Sequence, residues 1–213
     1  MVGAKGLAKE LLQVFHDTGR LEGLYFFDDV SEDIEDKLFD RFPVIRNLSD
    51  VEKVFQSLKD KSFALGLGNP LLRARMAKRF REAGGELTSV ISPDARVGSF
   101  GTVIGEGTCM LSGAVVTNGV SLGKGCLLNP HTSVSHDSVV GDFVEMSPGA
   151  RITGHVFVGS YSSLGTNAVI LPRVRVGINV VVGAGAVVTK DVPDNCLVAG
   201  VPARIIRELN PLS

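Results

Sequence analysis

A six-residue repeat runs from Ile104 to Pro193, and its centre reads Leu122-Gly-Lys-Gly-Cys-Leu-Leu128-Asn-Pro-His-Thr-Ser-Val134-Ser-His-Asp-Ser-Val-Val140. Every sixth position from Ile104 to Val188 carries an aliphatic residue or methionine, fifteen times without a break. The residue four places after each of them is small or β-branched, and glycine recurs one place after. A period of six fits neither an amphipathic helix nor a half-buried strand. It predicts a left-handed parallel β-helix with the aliphatic residues inside.

This repeat also predicts which residues lie next to each other in space. Three hexads close one turn, so residue n lies beneath residue n+18, with turns stacked at roughly 4.8 Å. The hexads begin irregularly at Ile91 and Val97 and end after Pro193. Ala203 to Leu209 is expected to form a short basic helix that caps the open end, as a solenoid requires. Residues 91–213 are therefore predicted to be one β-helical domain with a C-terminal capping segment.

Residues 1–90 follow a different pattern, in which strands and helices alternate. Such alternation predicts a small Rossmann-like parallel α/β domain. A Gly-x-x-Gly turn usually follows an apolar strand, but only Met1 and Val2 precede Gly3; either the domain forms without that strand or an upstream segment supplies it. The predicted elements are a first helix that buries Leu7, Leu11, Leu12, Val14 and Phe15, strands at 24–27, 62–67 and 86–91, a helix from the capping box Ser49–Glu52 to about Lys59, and a helix from Pro70 to Ala83.

Composition narrows the class of function. A net charge near −1 provides no basic field for nucleic acid or an anionic membrane. The longest apolar run, Val180 to Val188, is broken by glycines and too short to span a bilayer. The three cysteines form no CxxC motif, and Cys126 falls on an inward position of the repeat. Because no signal-peptide pattern opens the chain, a cytoplasmic location is expected.

Four polar or glycine positions in the coil are not explained by the repeat. His136 precedes Asp137, and the stacking rule places Gly154 beside His136 and His155 beside Asp137. Imidazole is the natural base near neutral pH, a carboxylate orients it, and a backbone amide can meet a developing oxyanion. These residues are predicted to form one surface patch, either a catalytic site or a solvated His-Asp pair.

A metal site is not predicted. His131 and His136 are five residues apart, which invites a comparison with zinc sites. The phase of the repeat places His131 on a different face of the prism, however, and no upstream histidine completes a set of three ligands.

The chain resembles the bacterial sugar acetyltransferases of the hexapeptide superfamily. The branch that it resembles includes the sialic acid O-acetyltransferases and the N-acetyltransferases of nucleotide-linked 4-amino-sugars. The stretches that carry the resemblance span nearly the whole chain: Gly3-Ala-Lys-Gly6, Phe27-Asp-Asp29, Gly68-Asn69, Leu128-Asn-Pro-His-Thr-Ser-Val-Ser-His-Asp137, Val140-Gly-Asp-Phe143, Ser147-Pro-Gly-Ala150 and Val198-Ala-Gly-Val-Pro-Ala-Arg204.

The resemblance implies a homotrimer with active sites between subunits, and direct transfer from acetyl-CoA. His136 would be the general base, Asp137 would raise its basicity, and Gly154 would hold the oxyanion. Acetyl-CoA would pass Thr166 and Ala184 and place its phosphates near Arg204. A nucleotide sugar would lie in the α/β domain against Lys5, Gly6, Leu7, Asp28, Asp29, Gly68 and Asn69, since helix N-termini receive diphosphates and acidic strand ends bind ribose or base hydroxyls.

Two positions depart from the family pattern. Glu145 stands where members commonly carry a histidine that contacts the acetyl-CoA carbonyl, so either Glu145 is protonated or His155 takes over that contact. Leu7 stands where histidine often follows the glycine. The first function hypothesis is N-acetylation of a nucleotide-linked amino sugar for surface polysaccharide or glycan biosynthesis. Sialic acid O-acetylation and an inactive trimeric scaffold are the alternatives.

Overall fold

The computed structural model describes residues 1–212, and it confirms an α/β region followed by a left-handed parallel β-helix. The α/β region, here called the head, ends with a strand at Leu87, and the β-helix, here called the coil, begins with a strand at Val90. Within residues 1–212 no helix has the length and apolarity that crossing a bilayer demands.

The head contains three helices and five short strands within the described residues. Strands β1 and β3 are parallel, as are β4 and β5, whereas β2 is antiparallel to β3. The sequence did not predict β2 and β3. The elements are α1 (Gly6–Asp17), β1 (Phe26–Phe27), β2 (Lys37–Leu38), β3 (Phe42–Ile45), α2 (Leu48–Ser57), β4 (Ser62–Phe63), α3 (Pro70–Glu82) and β5 (Glu86–Leu87).

The helix boundaries correct two details of the sequence prediction. Helix α1 buries Ala8, whereas Leu7 is only partly buried. Helix α2 is capped by Asn47, whose side chain accepts a hydrogen bond from the Asp50 amide at 2.9 Å, so Ser49 lies inside the helix. Asparagine is at least as good an N-cap as serine, which explains why the earlier residue prevails.

Val2 takes the place of the strand that was expected before Gly3. It forms parallel β-bridges with Phe27 on one side and with Leu65 on the other. The Met1 amine donates to the Tyr25 carbonyl at 2.8 Å, and burial lowers its pKa to about 5. A cavity of about 460 Å³ adjoins Met1, between Tyr25 and Ser62. These contacts align the carboxyl ends of three segments at one edge of the head.

The coil forms three parallel sheets that are the faces of a triangular prism. Partners in successive turns are eighteen residues apart through the regular part, for example Leu122 and Val140, which confirms the stacking rule. The strands are β6 (Val90–Ile91), β7 (Arg96–Val97), β8 (Val103–Ile104), β9 (Cys109–Met110), β10 (Val115–Val116), β11 (Ser121–Leu122), β12 (Leu127–Leu128), β13 (Ser133–Val134), β14 (Val139–Val140), β15 (Glu145–Met146), β16 (Arg151–Ile152), β17 (Phe157–Val158), β18 (Ser163–Leu164), β19 (Val169–Ile170), β20 (Arg175–Val176), β21 (Val181–Val182) and β22 (Val187–Val188).

The aliphatic ladder forms the core of the prism. Residues such as Met146, Ile152 and Val158 are fully buried in one continuous cluster, and Cys126 belongs to it as predicted. Burial at about 25 cal/mol per Å² of apolar surface makes this ladder the main source of coil stability. A rigid core fixes the corners, where the polar residues project.

The C-terminal segment is a β-hairpin, and the prediction of a helix there is wrong. Strand β23 (Cys196–Gly200) extends one face of the prism by pairing with β21. Strand β24 (Ala203–Glu208) then returns antiparallel to β23. The adjacent β-branched residues Ile205 and Ile206 favour a strand, and the exposed edge of β23 offers it backbone partners.

Arg73 joins the head to the coil. Its side chain, on α3, is fully buried and donates through Nη2 to the Gly125 carbonyl. Within residues 1–212, its Nε and Nη1 atoms have no hydrogen-bond partner, and burial lowers the pKa of the guanidinium. The head thereby covers the early turns of one coil face, where Cys109 and Leu127 point outward and are buried.

Candidate active site

His136 and Asp137 occupy the corner between β13 and β14. Asp137 has a left-handed φ of 58°, which turns its side chain back toward the histidine. Its Oδ2 lies 2.8 Å from His136 Nδ1, and this hydrogen bond is the main reason that the pKa of Asp137 lies below its usual range. An ionised carboxylate only accepts hydrogen bonds, so in the neutral imidazole Nδ1 carries the proton and Nε2 keeps its lone pair. The arrangement prepares Nε2 to act as a base.

Gly154 and His155 lie one turn further along, as the stacking rule predicted. The His155 amide donates to the His136 carbonyl at 3.0 Å. His155 Nε2 is 3.6 Å from Asp137 Oδ2, and the two imidazole rings meet edge to face with centroids 5.2 Å apart. Asp137 therefore lies between two histidines.

Gly154 passes directly against the ring of His136. A Cβ built on Gly154 would stand 2.6 Å from both Cε1 and Nε2 of His136, so only glycine leaves the ring its position. Within residues 1–212, the Gly154 amide donates no hydrogen bond. The corner thus presents a basic ring nitrogen and an unused backbone donor side by side, the pair of groups that acyl transfer requires.

Glu145 is held by two polar neighbours on an outward position of β15. Its Oε1 accepts from Asn129 Nδ2 and from Ser147 Oγ, both at 2.9 Å. Burial nevertheless raises the pKa of Glu145. Asn129 and Ser147 were not predicted as site residues, although they are eighteen residues apart and the stacking rule places them together. The raised pKa agrees in direction with the protonated alternative for Glu145.

Glu145→Gln is expected to stabilise the protein more at about pH 8 than at about pH 4. The folded-state pKa is raised, so the stability associated with Glu145 is complete below its ordinary pKa and is lost as the pH rises through the raised value. Glutamine cannot ionise, and its Oε1 still accepts from Asn129 and Ser147. Thermal unfolding of both proteins at the two pH values measures this. If the difference in melting temperature between the two proteins were the same at both pH values, the raised pKa of Glu145 would be contradicted.

His131 lies at a different corner from His136. It has a left-handed φ of 60°, and its ring packs over Gly113, where an added Cβ would stand 2.5 Å from Nδ1. The structure thus keeps it out of the cluster formed by His136, Asp137 and His155. His131 is exposed and makes a suitable control for substitutions of the other two histidines.

Thr166 and Ala184 lie in neighbouring turns on the same corner of the coil as His131, two and three turns further along. Both are exposed, and the Gly185 amide donates to the Thr166 carbonyl at 2.8 Å. Gly165 lies against the backbone of Ala184, with an added Cβ only 2.6 Å from the Ala184 nitrogen. Small residues and backbone therefore line the coil surface between Thr166 and Ala184, here called the groove. Such a surface suits a long, thin pantetheine arm. Arg204 is exposed on the hairpin, at β24.

The predicted head residues follow three adjacent segment ends. The Gly3 amide donates to the Phe27 carbonyl and the Gly66 amide to the Val2 carbonyl, so Lys5, Asp28 and Gly68 follow neighbouring strands. Contacts within the head hold several of these residues in place. Lys5 pairs with Asp33 at 2.7 Å, and Asp28 accepts from the Ser31 amide. Asp29 lies 3.4 Å from Arg79, and Asn69 caps α3, while Gly6, Leu7 and Gly68 lie in the same turns. None of the seven head residues predicted to bind the nucleotide sugar lines the cavity of about 460 Å³.

Comparison with known proteins places this geometry in context. The family model described as the PglD N-terminal domain matches residues 1–80. Among curated proteins, the galactoside O-acetyltransferase of Escherichia coli (strain K12) is 63% identical over 27 residues, 13% of either chain. The match therefore covers only about an eighth of the length of that relative.

Solved structures match nearly the whole chain. The acetyltransferase domain of PglB from Neisseria gonorrhoeae FA1090, in complex with acetyl coenzyme A, is 31% identical over 96% of this chain and 97% of that one, with a TM-score of 0.86. A variant of perosamine N-acetyltransferase from Caulobacter crescentus, in complex with CoA and GDP-perosamine, is 27% identical over 97% and 95%, with a TM-score of 0.88. WeeI from Acinetobacter baumannii AYE is 28% identical over 96% and 97%, with a TM-score of 0.87.

Proposed function

Because the chain belongs to the hexapeptide-repeat sugar acetyltransferase family, we propose that it transfers the acetyl group of acetyl-CoA to the amine of a nucleotide-linked amino sugar. The observation that carries the proposal is the corner at His136. There a histidine oriented by an ionised carboxylate lies against a backbone amide that has no acceptor within residues 1–212. Glycine is required at position 154, because a Cβ there would stand too close to the ring of His136.

In this proposal the amine attacks the thioester carbonyl while His136 takes one of its protons; the C–N bond forms, the C–S bond breaks, and the imidazolium returns the proton to the departing CoA thiolate. Nε2 takes the proton while Nδ1 keeps its hydrogen bond to Asp137, so the imidazolium that forms is stabilised by the adjacent carboxylate. A positioned base contributes about 100- to 10,000-fold to the rate. An amine nucleophile requires only the removal of the ammonium proton, so modest basicity is sufficient.

The Gly154 amide is assigned to the oxyanion. Its donor is part of a rigid corner, since His155 N and Arg173 N are both hydrogen-bonded across adjacent turns. A donor that is fixed before the reaction needs no reorganisation when negative charge develops on the carbonyl oxygen. Nucleophile activation and oxyanion stabilisation would thus come from neighbouring positions, 136 and 154.

Acetyl-CoA supplies an activated thioester, and the chain's own residues would hold and orient it. Thr166 and Ala184 border the part of the groove assigned to pantetheine, and Arg204 offers a cation to its phosphates. The gonococcal neighbour is a complex with acetyl coenzyme A. Glu145 or His155 would orient the thioester carbonyl, Glu145 only in its protonated form, because an ionised carboxylate cannot donate a hydrogen bond.

The head is assigned to the nucleotide part of the acceptor. The segment from Lys5 to Leu7 begins helix α1, whose N-terminal amides favour a diphosphate. Asp28 and Asp29, together with Gly68 and Asn69, follow the neighbouring segments and would contact ribose, base or sugar. The Caulobacter neighbour is a complex with GDP-perosamine, which supports an acceptor of this chemical class.

A homotrimer with active sites between subunits is part of the proposal. Phe100 lies two turns before His136 on the same corner, and its side chain is 76% exposed. Val103 and Val139, on the adjacent face, are also exposed. An apolar strip beside the base supports closure of the site there by a second subunit. Three free cysteines are usual for a protein of a reducing compartment, and we propose that the reaction takes place in the cytoplasm and serves surface polysaccharide or glycan biosynthesis.

A panel of acceptors tests the proposal and separates it from its alternatives. Acetyl-CoA is incubated with the enzyme and UDP-, dTDP- or GDP-linked 4-amino-sugars, or with free sialic acid, and CoA release is followed with a thiol reagent. Turnover with one amino sugar is the expected result. Turnover with sialic acid and with none of the amino sugars would mean that the enzyme is an O-acetyltransferase. Failure to bind CoA at all would favour the inactive scaffold.

A further inference from the structure

His136, Asp137 and His155 form a cluster of metal-ligating side chains at the coil corner. One ligand atom from each of the three lies within 4.8 Å of the other two. The sequence analysis considered His131 as the partner of His136 and predicted no metal site. The structure instead brings His155 to the same carboxylate, because position 155 stacks one turn beyond position 137.

The distances suit a zinc ion. Zinc binds imidazole nitrogen and carboxylate oxygen at about 2.0–2.2 Å, so tetrahedral ligand atoms stand roughly 3.4 Å apart. Asp137 Oδ2 is 2.8 Å from His136 Nδ1 and 3.6 Å from His155 Nε2, on either side of that value. Small rotations of side chains that are half exposed or more would bring all three atoms to bonding distance.

The chemistry of the three groups also suits a divalent transition metal. Two imidazoles and one carboxylate are a usual set of three zinc ligands, with the fourth position open to water or substrate. The three cysteines of the chain, which would otherwise compete for zinc, are buried.

We propose that His136, Asp137 and His155 bind one Zn²⁺ per chain, and that the ion inhibits acetyl transfer by occupying the catalytic base. The ion would take the lone pair of His136 Nδ1, so the ring proton would move to Nε2, and His136 could no longer accept a proton from the amine. Zinc is here an inhibitor and not a cofactor. The inhibition rests on the proposed function, whereas the binding does not.

Calorimetric titration of ZnCl₂ into tag-free protein, without substrate, tests the binding directly. One Zn²⁺ per chain is expected. His155→Asn and Asp137→Asn should each weaken binding by at least about 10-fold, the loss that even an altered outer-shell partner causes. His131→Asn, a substitution of an exposed histidine at another corner, should leave it unchanged. Circular dichroism of each variant verifies that the fold is intact.

The outcomes separate the metal site from the proposed function. Binding that His155→Asn and Asp137→Asn weaken, with zinc-dependent loss of turnover reversed by EDTA, supports both parts of the inference. Site-dependent binding in a protein that turns over no acceptor supports the metal site and removes the proposed function. No binding up to about 100 µM, weaker than ordinary protein zinc sites, overturns the inference, as does binding equal in wild type and His155→Asn.

Discussion

His136→Ala is expected to lower kcat for acetyl transfer by about 100- to 10,000-fold, the contribution of a positioned general base. The side chain is 60% exposed and contributes nothing to the coil core, so folding should be unaffected. Affinity for CoA should also stay within a few-fold of wild type, because the groove at Thr166 and Ala184 is left intact. Steady-state kinetics with the best acceptor, together with calorimetry of CoA binding, measures both effects.

The control for this prediction is His131→Ala. It removes another exposed histidine of the coil, from a neighbouring corner. Its kcat should equal that of wild type. If His136→Ala retained more than about a tenth of the wild-type kcat, His136 would not be a general base of the ordinary strength, and another group would have to accept the proton.

Gly154→Ala is expected to lower kcat on the order of 100-fold, the cost of displacing a catalytic group by about 1 Å. The new methyl group would stand 2.6 Å from His136 Cε1 and Nε2, closer than real contacts allow, so the ring must move. Alanine keeps the backbone amide, and the φ of Gly154 is not in the left-handed region, so neither the oxyanion donor nor the backbone is compromised. Kinetics and a melting temperature distinguish a displaced ring from a disturbed fold.

A double-variant cycle tests whether Gly154 acts through His136. If alanine at 154 harms catalysis by displacing the ring, adding it to His136→Ala should cost little more than His136→Ala alone. Two losses that multiply would show that Gly154→Ala acts elsewhere. A Gly154→Ala enzyme within a few-fold of wild type would mean that the ring accommodates the methyl group and that the tight contact has no catalytic role.

The coil was predictable from sequence because each hexad repeats the same physical requirement. The inward ladder from Met110 to Val188 is buried, and partners stack at the predicted offset. The same offset predicted that His155 lies beside Asp137. A one-dimensional repeat converts sequence distance into spatial distance, so a surface patch could be derived without any knowledge of side-chain conformation.

The head and the C-terminus were less predictable for equally physical reasons. Strand β2 has two residues, too few for any period to appear. The segment that begins at Ala203 forms β24 because the edge of β23 offers it backbone partners, and that contact is not visible in local composition. Burial of Arg73 and partial burial of Glu145 arise where head meets coil, and no pattern within either region encodes that contact.

Identification of the acetylated product shows in one experiment which atom is acetylated and whether His136 is the base. The enzyme is incubated with acetyl-CoA and the nucleotide-linked amino sugar that it turns over best, and the product is characterised by NMR and mass spectrometry, with the His136→Ala reaction alongside. We expect an amide on the sugar nitrogen in the wild-type reaction and essentially none with His136→Ala. An ester on a hydroxyl, or an amide formed equally well by His136→Ala, would contradict it.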